Sequence, residues 1–155
     1  MTGDNTGGRR VAHAAGGGAR GSVPTIWALR MCFIVVLGSM IGITSWAGTQ
    51  VALFAIPREV WMHPWFLATL LDAYWAFLTV YAWIAWKEQA WAARFLWLLA
   101  VLALGSIAIA VYILRELFGV NAVDGLGTAI TRRNPGRLML PTVLVAASAA
   151  VYLLA

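Results

Sequence analysis

The chain has 155 residues, 62% hydrophobic and only 11% charged, with a formal net charge of +5. Soluble domains carry about 25% charged and about 45–50% apolar residues, so a water-soluble fold of this length would leave much apolar surface uncovered. The composition excludes a disulfide scaffold, because Cys32 is the single cysteine. It also excludes a nucleic-acid surface, because the arginines flank apolar runs instead of alternating with aromatics.

A bilayer accepts apolar side chains and requires backbone groups to be satisfied within helices. The expected fold is therefore all-α, an integral membrane bundle of four transmembrane helices over residues 25–155. Residues 1–24, rich in Gly, Thr, Ala and Arg, read as a disordered tail. They lack the apolar core of a signal peptide. With no targeting segment visible, the expected location is a bacterial-type inner membrane.

The first span is expected over 26–47, with Arg30 near its start able to snorkel to the interface. Gly38 and Gly42 form a GxxxG pair, which suits close helix packing within the chain. Cys32 reads as a small buried hydrophobe. A connection rich in Pro, Arg, Glu and His follows, with His63 at the membrane surface. The second span is expected over 65–86, the third over 95–114 and the fourth over 138–154. Trp27, Trp46, Trp61, Trp65, Trp86 and Trp91 flank these runs as an interfacial aromatic belt does. Counting Lys and Arg on each side of four spans gives six against five, so the charge bias barely orients the bundle; an inside location for both termini is taken.

Asp72 is the residue with most chemistry to explain. It lies seven residues inside the second span, where an ionisable group is costly and marks a functional hypothesis. Thr69 and Thr79 share its helical stripe, and Ser45, Ser106 and Tyr112 fall at its depth on neighbouring spans. These six are expected to form an intramembrane polar cluster, with Arg115 as its cap. It serves either as a packing clamp or as a proton or cation site. Lys87 and Glu88 close the hairpin between spans two and three, and Lys87 is expected at headgroup phosphates. No catalytic set, cofactor site or metal-ligand set is expected.

The stretch Trp65-Phe-Leu-Ala-Thr-Leu-Leu-Asp72-Ala-Tyr74, followed by Trp83-Ile-Ala-Trp86-Lys87-Glu88 and then Trp97, Gly105-Ser106 and Tyr112, resembles the domain-of-unknown-function family numbered 1475 over about residues 28–117. The resemblance implies that the Asp72 helix and the Lys87-Glu88 hairpin are signatures of the module. It carries no activity. The expected function is a non-enzymatic structural or accessory subunit of a membrane complex, with the lipid bilayer, other membrane proteins or a second copy as partners and no nucleic acid. The alternatives are a small proton- or cation-coupled transporter using Asp72, and a lipid-modifying membrane enzyme.

Overall fold

The computed structural model describes residues 22–120 and 124–154, so most of the tail expected over 1–24 lies outside the described residues. Every named element among them is helical. α1 spans Ser22–Gln50, and after a single 3-10 turn and the short α2 (Arg58–Trp61) comes α3, Pro64–Lys87. α4 (Trp91–Leu104), α5 (Ser106–Phe118), α6 (Asp124–Thr131) and α7 (Met139–Leu154) complete the order. Pro64 opens α3 at a position where its missing N–H is no loss.

α1 and α3, with 29 and 24 residues, are the two described helices long and apolar enough to cross a membrane by length and composition. They bracket the first two expected spans. Residues 95–114 do not form one continuous helix. Gly105 adopts φ 54° and ψ −122°, the dihedrals of the first central residue of a type II′ turn, which glycine adopts most readily. A Cβ there would also lie 2.8 Å from the Phe77 ring. The chain reverses at this point. In a straight helix Trp97 and Tyr112 would be about 22 Å apart along the axis, yet their rings meet edge to face at 4.8 Å.

The reversal frees carbonyls at the end of α4, and the fold supplies donors for them. The Tyr74 hydroxyl donates to the Leu102 carbonyl at 3.2 Å and the Tyr152 hydroxyl to that of Ala103 at 2.6 Å. Arg30 does the same for α5, donating to the carbonyls of Leu117 and Val120. A cation at a helix C-terminus also opposes the helix dipole favourably.

These contacts set the directions. α1 packs mainly along α5 and runs from the level of Leu117, where Arg30 bonds, towards the Gly105 turn. α3 descends antiparallel to α4, with Tyr74 beside Leu102 and the Tyr81 hydroxyl on the Arg94 carbonyl. α7 rises parallel to α4, from the Lys87–Asn134 junction to Ala103. One end of the bundle therefore gathers Lys87, Arg115 and Asn134, and the other holds the Gly105 turn. The apolar core lies between them, built on Ile84, Trp97, Ala100, Val101, Ala108 and Tyr112.

Two smaller expectations are corrected. A Cβ added to Gly38 or Gly42 would meet no atom within 4 Å, so both glycines lie on the open face of α1 and take no part in packing among the described residues. Cys32 is exposed on α1.

Candidate functional site

At the lower end of α3 the chain buries two adjacent charges, Lys87 and Glu88, both with no exposed surface. Leaving either unpaired there would be strongly unfavourable. Each finds an opposite charge from the last turn of α5. The Lys87 ammonium donates to Glu116 Oε2 at 2.5 Å and to the Ala129 carbonyl of α6. Arg115 Nη2 donates to Glu88 Oε1 at 2.7 Å and to Glu116 Oε1 at 2.8 Å. Two cations and two carboxylates balance.

Asn134, in the segment before α7, closes the cluster. Its backbone forms a parallel bridge beside Glu88, donating to the Lys87 carbonyl and accepting from Gln89 N–H. Its side-chain amide lies within hydrogen-bond distance of Glu88 Oε1, Glu116 Oε1 and the Tyr112 hydroxyl. Gly136 (φ 79°) lets the segment pass so close that a Cβ would meet that of Ala90 at 2.3 Å. Tyr112 also donates to Glu88 Oε1 at 3.1 Å. Aromatic faces enclose the cations, with Lys87 over Trp83 at 5.0 Å and Arg115 over Tyr112 at 4.4 Å. Burial raises the Glu116 carboxyl pKa, but hydrogen bonds from Lys87, Arg115 and Asn134 outweigh it and hold the group below the usual carboxylate range. Among the described residues, two buried polar atoms have no partner, Glu88 Oε2 and Trp97 Nε1.

The six residues expected around Asp72 are not brought together. Asp72, Thr69, Thr79 and Ser45 are all exposed. The Thr69 and Thr79 hydroxyls donate to the Trp65 and Trp75 carbonyls of their own helix. Ser106 sits half-buried at the turn. Tyr112 is buried at the opposite end, on Glu88, because α5 runs back down the bundle. Arg115 likewise caps Glu88 and Glu116 rather than Asp72. Lys87 and Glu88 are interior groups, not a surface turn at headgroup phosphates. Among the described residues no group of three or more His, Cys, Asp or Glu side chains is placed to hold a metal. Glu116 and Asn134 are not legible as site residues in the sequence. Their one signal is that Lys87-Glu88 and Arg115-Glu116 are paired opposite charges at the ends of apolar runs.

Residues 19–135 match the family described as Protein of unknown function (DUF1475). The chain belongs to this family. The DUF1475 match takes in every residue of the ion-pair cluster, Asn134 included, and leaves α7 outside it. No curated protein and no solved structure matches the chain.

Proposed function

We propose that this DUF1475 protein is a multi-pass membrane protein with a non-enzymatic, structural role, an accessory subunit that engages neighbouring membrane proteins through α1 and α3. The observation that carries this reading is inverted polarity. Trp27, Met31, Val35, Trp46, Leu71 and Trp75 are exposed on the two long helices, while Lys87 and Glu88 are sealed inside. The core helix of a soluble protein is mostly buried, whereas the apolar windows of α1 and α3 are each 6% buried. Such an apolar exterior is stable in lipid.

The helix directions favour a topology other than four simple spans. α1 and α3 cross, α4 and α5 form a re-entrant hairpin of 14 and 13 residues, and α7 crosses last. Arg30, Lys87, Arg94, Arg115, Arg132, Arg133 and Arg137 then share the cluster end, and Arg58 stands alone among the described Lys and Arg at the other. The excess of cations favours a cytoplasmic location for the cluster end. The expected bacterial-type inner membrane suits this orientation. The start of α1 is then inside and the end of α7 outside.

Partner binding is supported by Asp72. It is exposed on α3, about 12 Å from the helix start at 1.5 Å per residue, too deep for a short side chain to reach headgroups. A carboxyl facing lipid there is costly until a neighbouring helix offers a donor. Gentle extraction of the tagged protein tests this reading. Co-purification of another membrane protein in fixed ratio, lost in Asp72→Ala, is the expected result. Recovery as a homo-oligomer alone favours instead the proton- or cation-coupled carrier, in which Asp72→Asn abolishes flux while the protein still accumulates.

A further inference from the structure

At the cluster end, a hollow of about 230 Å³ opens beside the ion pairs, lined by Arg115, Arg132 and Arg137 together with Glu116, Gly119 and Asn134. Lys87 and Arg115 already balance Glu88 and Glu116, so Arg132 and Arg137 are surplus positive charge. Arg132 is exposed and Arg137 lies at the rim, and neither has an ion pair among the described residues. Arg115 uses Nε and Nη2 on the two carboxylates. Its Nη1 has no acceptor among the described residues, and its side chain is 24% exposed. A guanidinium held rigid by two carboxylates, with free N–H groups and two further arginines lining the same hollow, suits an anionic oxygen cluster.

The depth of the hollow selects the anion. Arg115 follows Leu114, the last residue of an unbroken apolar run in α5, and Arg137 precedes Leu138, which leads directly into α7. Trp86 ends the apolar run of α3 at the same level. Under the membrane reading, on which this inference rests, the hollow lies at headgroup height in the cytoplasmic leaflet, where anionic lipids concentrate. We propose that Arg115, Arg132 and Arg137 form a binding site for the phosphate of an anionic glycerophospholipid headgroup. The Glu116 carboxylate at its wall is no obstacle, because Lys87 and Arg115 balance its charge and Asn134 donates a hydrogen bond to it.

The test uses the full chain purified in a neutral detergent, titrated with phosphatidylglycerol or phosphatidylcholine and read by native mass spectrometry. Wild type is expected to prefer phosphatidylglycerol at least about tenfold, about 1.4 kcal/mol. Arg132→Gln/Arg137→Gln is expected to lose that preference while its thermal unfolding stays unchanged. Arg133→Gln removes the same charge one residue away, from a side chain stacked on Trp86 at 5.3 Å, and is expected to keep it. An equal loss in Arg132→Gln and Arg133→Gln would mean bulk surface charge and overturn the site. Displacement of phosphatidylglycerol by millimolar inorganic phosphate would assign the hollow to a free anion and overturn the lipid. Alkaline carbonate extraction separates the underlying reading. Protein that stays in the membrane yet shows no lipid preference refutes only the headgroup site, and protein that is extracted refutes the membrane reading.

Discussion

Glu88 Oε1 has Tyr112, Arg115 and Asn134 as donors, and this single oxygen joins α3, α5 and the segment leading to α7. Removing one member of a buried ion pair costs about 3–5 kcal/mol, whereas replacing both partners with groups of similar shape is often nearly neutral. Lys87→Met is therefore expected to destabilise the protein by about 3 kcal/mol or more, the range for a broken buried pair, and Lys87→Met/Glu116→Gln to recover a substantial part. Reversible unfolding in mixed micelles, run as a double-mutant cycle, measures both. Glu116 adds a pH dependence with a definite sign. Its native pKa is lowered, so the stability it contributes is fully present above the usual carboxylate range and is lost as pH falls through the lower native value. Wild type should lose stability across that acid window, and Glu116→Gln should show a flatter profile there. The sequence marks Lys87-Glu88 as a charged pair at the end of an apolar run, but such a pair looks the same whether it points into headgroups or into protein. The partners of Glu88 lie as far as 27 and 46 residues further on, beyond the reach of local pattern.

The long helices are readable in the sequence because length and hydropathy dictate them. The first two expected spans fall within α1 and α3, and Pro64 and Trp65 announce the start of α3. The third segment is not, because Gly-Ser inside an apolar run is compatible with a continuous membrane helix. What turns the chain at Gly105 is tertiary: Phe77 crowds the glycine, and Tyr74 and Tyr152 take the carbonyls that the break exposes. Gly105→Ala is expected to destabilise through two separable causes. Phe77→Ala in the same chain should relieve the clash and leave the backbone penalty, about 1–3 kcal/mol for a residue with a Cβ held in a sparsely populated positive-φ conformation. Under the membrane reading, Tyr74→Phe should cost about 1–3 kcal/mol by stranding a carbonyl away from water. Unfolding in micelles reads all three. Full recovery in Gly105→Ala/Phe77→Ala would show that the turn conformation is not strained for alanine.

For the molecule as a whole, the hairpin at Gly105 changes what the charges mean. Four simple spans divide the cations almost evenly and leave the protein without a preferred orientation. Folding α5 back along α4 moves Arg115, Arg132, Arg133 and Arg137 to the side of Arg30, Lys87 and Arg94, which under the membrane reading gives a strong bias. The two topologies place Thr128, on α6, on opposite sides of the membrane. Single cysteines at Glu59→Cys, Gln89→Cys and Thr128→Cys, in a Cys32→Ser background, report this directly, since all three positions are exposed. With a membrane-impermeant maleimide on intact cells, Glu59→Cys is expected to label at once, and Gln89→Cys and Thr128→Cys only after permeabilisation. Labelling of Thr128→Cys together with Glu59→Cys would restore residues 95–114 as a full crossing. It would also separate Arg115 from Glu88 by the thickness of the bilayer, so the ion-pair cluster and the re-entrant hairpin stand or fall on the same measurement.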